Sequence, residues 1–181
     1  MATSYYKSDF RGTVGGGGGS LPTISTDLDS VRAFQFEVQF TGFGPNTKTA
    51  TLAAKKVTAV AMTNEPIVVD RVNDKVYYPG KTTPEEITVT FDNLYLSKIN
   101  KSLWNWFTKT YDPGTGALGD ADSVKSSKMD IVMLNNKLQP VTSARLIGVF
   151  PTKYSLSEFQ YSENQFHTIE VTFRFDYMDV G

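Results

Sequence analysis

The sequence has no cysteine, a single histidine and no excess of charge of either sign. The lack of cysteine excludes a disulfide scaffold and cysteine-based metal or redox chemistry, although it does not fix a cellular compartment. With 18 basic and 19 acidic side chains, the chain has no overall basic field that would recruit nucleic acid or an anionic membrane. No apolar run approaches the roughly 20 residues of a membrane-spanning helix, and residues 1–20 lack the apolar segment of a secretory signal.

Patterns typical of catalysis and metal binding are also missing. His167 stands beside a strand start without an obvious nucleophile, which is typical of an exposed polar residue. Glu85 and Glu86 are neighbours on an extended segment, so their side chains point to opposite sides and cannot flank one bond. Four aspartates between 112 and 130 are too irregularly spaced for a calcium loop, and the glycine run at 15–19 lacks the Lys-Ser/Thr of a phosphate loop. We therefore predict a protein that is not an enzyme and has no cofactor or metal site.

What the sequence does contain is a repeated alternation of apolar and polar residues. A chain of 181 residues, 13% of them aromatic, is long enough for one domain with a sizeable core. The alternation is clearest at 33–41 and 168–177 and indicates half-buried β-strands. Residues 48–62 are predicted to form another extended run. The pattern predicts seven or eight strands in a single domain at 31–181.

A glycine-rich arm precedes this domain. Residues 1–30 include the uninterrupted glycine run at 15–19, and glycine loses more conformational freedom on ordering than any other residue. We expect a flexible arm. Tyr5, Tyr6 and Phe10 leave a second interpretation open, in which the arm orders only against a neighbouring subunit.

The hydrophobic period changes in the middle of the chain. Residues 86–92 alternate as in a strand and lead into Asp92 and Asn93, which are good helix N-caps. Apolar residues then recur at three- and four-residue spacing, which predicts one amphipathic helix over 94–111. A polar loop is expected at 112–127.

A β-hairpin is predicted at 66–78, because two short apolar runs flank Asn73 and Asp74, a pair suited to a tight turn. Pro66 before the hairpin and Pro79 after it favour its projection from the body of the domain. Isolated hairpins are marginal in water. The hairpin therefore needs another surface to lie on.

Several segments appear in a characteristic order: Tyr78-Pro79-Gly80-Lys81, the strand and cap at 86–93, a helix carrying Trp104 and Trp106-Phe107, the Gly-aromatic-Pro-Thr corner within 146–152, and the closing strand at 169–178. This order resembles the tail tube proteins of contractile-tailed, T-even-like bacteriophages over roughly residues 33–178. The resemblance implies a mainly β fold, in which two antiparallel sheets pack as a sandwich or partial barrel with one flanking α-helix.

The resemblance also implies a structural virion protein. Six subunits would form a ring, and stacked rings would form the inner tail tube within a contractile sheath, with sheath and baseplate proteins as partners and no membrane. If each subunit adds four strands to a closed barrel, strands about 4.8 Å apart and tilted near 40° leave an opening of roughly 38 Å, which admits a DNA duplex. The tube would be assembled in the host cytoplasm and serve DNA ejection from the virion tail.

The wall of such a channel should not hold DNA, because every neutralised phosphate adds affinity through counterion release. We therefore predict a polar or net acidic lumen face drawn from the polar sides of the strands: Glu37, Gln39, Glu86, Thr88, Thr90 and Glu170. Arg174 is the exception on the last strand, and we expect it to pair with a carboxylate.

Ring-to-ring stacking is assigned to the hairpin at 66–78. A projecting element with apolar flanks and a charged tip fits a neighbour's groove better than it fits solvent. The residues predicted to carry the contact are Ile67, Val69, Arg71, Asp74, Tyr77 and Tyr78.

Three other functions share parts of this pattern. The tube of a secretion or contractile injection device has the same fold without genome transport, and a tube-initiating baseplate protein is also compatible. A different class is a monomeric β-sandwich that binds carbohydrate or protein through Trp104 or Tyr111. Negative-stain microscopy separates the classes, because rings or rods exclude a simple lectin.

The arm generates the first testable prediction. Deleting residues 1–20 should lower the melting temperature only slightly, because ordering each glycine of the run at 15–19 costs about 1–2 kcal/mol without side-chain burial in return. Thermal unfolding of the truncated and full chains measures the effect. Loss of soluble, folded protein on truncation would show that the arm belongs to the core.

Overall fold

A computed structural model of the chain describes residues 31–42, 47–95, 98–125, 127–162 and 164–181, so the arm predicted at 1–30 lies outside the described residues. The strands are β1 (Phe36–Thr41), β2 (Ala54–Val57), β3 (Met62–Asn64), β4 (Ile67–Asp70), β5 (Lys75–Tyr78), β6 (Thr82–Pro84), β7 (Ile87–Asp92), β8 (Ser127–Leu134), β9 (Pro140–Leu156), β10 (Thr168–Arg174) and β11 (Tyr177–Val180). The helices are α1 (Thr47–Ala53), α2 (Ile99–Thr108) and α3 (Ala121–Val124). Within these described ranges, no helix is long and apolar enough to cross a membrane.

One antiparallel sheet contains seven of the strands, in the order β1-β8-β9-β10-β7-β2, with β11 paired to β9. The 17-residue strand β9 belongs to both halves of this sheet: its first part pairs with β8 and β11, and its second part pairs with β10. We call β1, β8, β9 and β11 the first half-sheet, and β9, β10, β7 and β2 the second half-sheet. The predicted fold class is confirmed, with the refinement that the two packed layers are halves of one sheet.

The two half-sheets pack face to face around an aromatic centre. The Phe40 ring on β1 lies 5.9 Å from the Phe91 ring on β7 and 6.4 Å from the Phe173 ring on β10. Alternate residues of β7 and β10 are buried, as the period of two of a strand requires. The fully buried members of this core include Val38, Ile87, Val89, Phe91, Met129, Leu146, Ile169, Val171 and Phe173.

The sheet turns from one layer into the other at Gly148. This residue has φ of +71°, and a Cβ there would lie 2.1 Å from Oδ2 of Asp176, which lies in the bend between β10 and β11. The backbone N–H of Asp176 donates to the Ile147 carbonyl at 2.9 Å, so both strands bend at the same level. Asp176 also forms an ion pair with Lys125, with 2.7 Å between Lys125 Nζ and Asp176 Oδ1. Glycine suits this crossing best, because a side chain at this φ is strained and a Cβ would require the Asp176 carboxylate to move.

The long helix is shorter than predicted. It spans Ile99–Thr108 rather than 94–111, and Leu94 and Tyr95 are not helical. Asn93 lies six residues before the first helical residue and does not cap the helix; its backbone N–H donates to the His167 carbonyl and its side-chain amide contacts His167 Nδ1, both at 3.1 Å, which ties Asn93 to the start of β10. Tertiary pairing therefore overrides the local capping signal.

α2 closes the core beside β9 and β10. Its apolar stripe buries Ile99, Leu103 and Trp106. The Trp106 ring lies 5.3 Å from the Phe173 ring, and the Tyr154 hydroxyl donates to Oδ1 of Asn100 at 2.6 Å. Burial raises the pKa of the Tyr154 hydroxyl. The helix thus lies on the same side of the second half-sheet as the first half-sheet does.

Two other predicted segments need correction. The run at 48–62 is not extended throughout, because Thr47–Ala53 forms α1 and buries Ala50 and Ala53, a pair spaced for one helical face. The loop predicted at 112–127 contains α3 and the first residue of β8. The Trp106 indole N–H donates to the Val124 carbonyl at 3.2 Å, which anchors α3 to α2.

The corner glycine generates a matched pair of substitutions. Gly148→Ala and Gly116→Ala both put alanine on a backbone with φ of +71°. Only at residue 148 would the new Cβ meet another residue, because nothing lies within 4 Å of the position at 116. Gly116→Ala should lower the free energy of unfolding by about 1–2 kcal/mol, the strain of the left-handed conformation. Gly148→Ala should lower it by more, because Asp176 must also move. Urea unfolding measures both, and equal losses would contradict the role of the crossing.

Candidate assembly surfaces

The described residues hold no cluster of three or more His, Cys, Asp or Glu side chains that suits a metal ion. His167 contacts Asn93 and the Phe159 ring rather than a nucleophile. Surfaces are therefore the candidates for function.

The hairpin surface is the end of a long two-stranded ribbon. β2 pairs with β7, β3 with β6 and β4 with β5, so the ribbon continues the second half-sheet away from its edge. Residues 58–70 on one side correspond to a contour of roughly 40 Å at about 3.3 Å per residue. All of β4 is exposed, and so is β5 except for the partly buried Val76. The hairpin projects from the domain.

The structure places all six residues predicted for stacking on this exposed hairpin. The register pairs Ile67 with Tyr78 and Val69 with Val76, so these four side chains share one apolar face. Tyr77 is on the other face, opposite Val68. Arg71 and Asp74 lie at the turn, where the Arg71 N–H donates to the Asp74 carbonyl at 2.8 Å.

The six residues predicted for the lumen do not come together on one face. Thr88, Thr90 and Glu170 lie on the outer face of the second half-sheet, where Glu170 is opposite Thr90. Glu37 and Gln39 lie on β1, whose core side faces the second half-sheet across the centre, so they belong to the opposite surface. Alternation in the sequence shows which residues of one strand share a side. Only the packing of the sheet shows which surface of the domain that side belongs to.

Glu86 precedes β7 and pairs with Arg174, with 2.8 Å between Arg174 Nε and Glu86 Oε1. The carboxylate expected beside Arg174 is therefore present. The Thr88 and Thr172 hydroxyl oxygens lie 3.0 Å apart on the same outer face. This face of the second half-sheet is polar, and α2 packs on its other side.

Sequence reasoning missed a group of exposed aromatics between β9 and β10. Phe159, Tyr161 and Phe166 are largely solvent-exposed. Their spacing matches neither a strand nor a helix, so periodicity gave no signal. The presence of three aromatic residues in one short segment was the feature of the sequence that could have indicated an interaction surface.

The residues proposed for a carbohydrate or protein ligand do not form an open platform. Trp104 is half-exposed, but its ring packs edge-on against Tyr154 with centroids 5.3 Å apart. Tyr111 forms a backbone bridge with Leu118.

A family profile described as "T4-like virus tail tube protein gp19" matches residues 32–179. The chain belongs to this tail tube family. No curated protein sequence matches it. The predicted resemblance is confirmed, and so is the structural role in a tail tube.

Solved structures of contractile devices share the fold of this tail tube protein. A chain of the PVC extracellular contractile injection system, in its extended sheath–tube complex, is 14% identical with a TM-score of 0.68, covering 88% of this chain and 99% of that one. A chain of the anti-feeding prophage cap is 14% identical with a TM-score of 0.65, covering 87% and 99%. A chain of the anti-feeding prophage baseplate is 14% identical with a TM-score of 0.63, covering 84% and 95%.

The exposure of the hairpin generates a prediction about this tail tube protein. Val69→Ala should change the free energy of unfolding of the subunit by no more than about 0.5 kcal/mol, because Val69 is 43% exposed. Val89→Ala should lower it by about 2–3 kcal/mol, because Val89 is 0% exposed and leaves a cavity. Urea unfolding at low protein concentration compares the two. A large loss for Val69→Ala would show that the hairpin packs on its own domain.

Proposed function

We propose that this tail tube protein forms hexameric rings that stack into the inner tube of a contractile tail. The observation that supports this most is the second half-sheet, whose polar outer face lies opposite α2 and the first half-sheet and whose ribbon projects beyond the domain. A face of this kind suits the wall of a channel, and a projecting ribbon suits contact with the next ring.

Edge pairing between subunits would close the ring. The second half-sheet has four strands and ends at β2 and at the second part of β9, whose outer edges pair with no other described strand. An even number of antiparallel strands ends on strands of opposite direction, so copies can join edge to edge and stay antiparallel throughout. Closure removes these free edges and makes association self-limiting.

The packing of the two half-sheets indicates which side chains would line the channel. With the second half-sheet as the wall, Thr88, Thr90 and Glu170 line the channel, and the Glu86–Arg174 pair neutralises a cation there. Glu37 and Gln39 face away from the channel, because β1 belongs to the opposite layer. Lys56, opposite Thr90, and Lys153, opposite Thr172, lie on the same face, so the wall mixes charges of both signs and offers DNA little net attraction.

The partners proposed for the tube are a sheath and a baseplate, by analogy with the similar chains from the sheath–tube and baseplate structures. The tube would be assembled in the host cytoplasm, become part of the virion tail and conduct DNA at ejection. The second candidate is the tube of a contractile injection particle, because the similar structures come from such particles.

Electron microscopy of purified protein tests the proposal. We expect rings or rods with an axial channel from the full chain. Replacing residues 68–76 by a short Gly-Ser turn should give folded rings or monomers that do not polymerise, because it removes the projecting contact. Replacing the exposed turn at 113–116 by a Gly-Ser segment serves as the matched control and should leave rod formation intact. Rods from the replacement variant would contradict stacking through the hairpin, and a strict monomer from the full chain would contradict the tube.

A further inference from the structure

The loop between β9 and β10 carries a concentration of exposed aromatic surface. We call its described residues, 157–162 and 164–167, the aromatic loop. Phe159 is 76% exposed and Phe166 is 90% exposed, and the Tyr161 side chain is fully in solvent. Three large aromatics on one short loop are unusual for the surface of a monomer and indicate an interaction site.

The aromatic loop, including its Glu158 and His167, lines a groove of about 460 Å³ together with Lys55 and Thr168. The Phe159 ring stacks on the His167 ring with centroids 4.2 Å apart. The Asn93 side-chain amide contacts His167 Nδ1 at 3.1 Å. That Nε2 is buried and has no hydrogen-bond partner among the described residues. Buried polar atoms are normally satisfied, so this ring nitrogen is an exception in the wall of the groove.

The aromatic loop and the hairpin lie at opposite ends of the second half-sheet. Thr168 pairs with Asp92, so the loop adjoins the C-terminal end of β7. The ribbon leaves from the other end, since Glu85, just before β7, donates its backbone N–H to the Ala61 carbonyl at 3.0 Å. One subunit therefore presents an apolar projection at one end and an aromatic groove at the other.

We propose that the aromatic loop of one subunit receives the β4–β5 hairpin of a second copy of this chain in the adjacent ring. The inference rests on the proposed function and names the receiving surface. The apolar hairpin face of Ile67, Val69, Val76 and Tyr78 packs against the exposed aromatics of the loop. Three aromatic side chains bury roughly 450–750 Å² when covered, close to the ~800 Å² per partner of a stable interface.

Charge at the two surfaces is complementary as well. Arg71 stands at the hairpin turn and Glu158 borders the groove, and neither forms an ion pair within the part of the chain that the structure describes. The occupant is a second copy because the two surfaces differ and lie at opposite ends. Such head-to-tail contacts repeat without closing, which is the symmetry of an axial stack.

Disulfide trapping tests the contact directly, because the natural chain has no cysteine. One preparation carries Val72→Cys at the hairpin tip, and another carries Gln160→Cys in the aromatic loop. Mixed under assembly conditions and oxidised, they should give a disulfide-linked heterodimer. The control pairs Val72→Cys with Leu118→Cys, which is exposed on a different loop, and should give no heterodimer above background.

Charge reversal provides a second measurement. Arg71→Glu and Glu158→Arg should each reduce rod formation, and the double variant should recover it. Rods without the Val72–Gln160 cross-link, and without recovery in the double variant, would overturn the docking inference while leaving the tube proposal in place. Absence of rings and rods from the natural chain would overturn both.

Discussion

The whole architecture depends on the crossing of two strand segments at Gly148 and Asp176. The long strand β9 and its partner run β10–β11 bend together there, which lets one continuous sheet supply both layers of the core. Without that bend, Phe40 on β1 could not meet Phe91 and Phe173 on the other half. The absent side chain at residue 148 makes room for the Asp176 carboxylate, which Lys125 holds at 2.7 Å.

The bend also determines which face of the second half-sheet is covered and which is exposed. It places the first half-sheet and α2 on one side of the second half-sheet, and it leaves threonines and charged side chains on the other side. Core burial thus determines which polar face is free. The hairpin and the aromatic loop lie beyond the two ends of the same half-sheet, so the surfaces proposed for axial contacts are separate from the surface proposed for the channel.

Sequence reasoning succeeded where a local pattern and the fold agree. The alternation of Ile87, Val89 and Phe91 predicted a strand with one buried side, and the structure buries these three completely. It failed where a distant residue decides the outcome. Asn93 is a good cap by itself, but its side-chain amide contacts His167 Nδ1 instead. The residues predicted for the lumen lie on two different surfaces, because alternation within a strand does not show which layer of the fold that strand joins.

The hairpin exposes the same type of apolar side chain that the core buries. Val69 and Val89 are the same residue type, yet the first is exposed on the ribbon and the second is in the core. The ribbon's apolar face therefore adds little to the stability of one subunit. A surface that contributes little to folding but exposes Ile67, Val69 and Tyr78 is unfavourable for a monomer in water. Covering by another copy would remove this unfavourable exposure, and that contact is the one proposed between stacked rings.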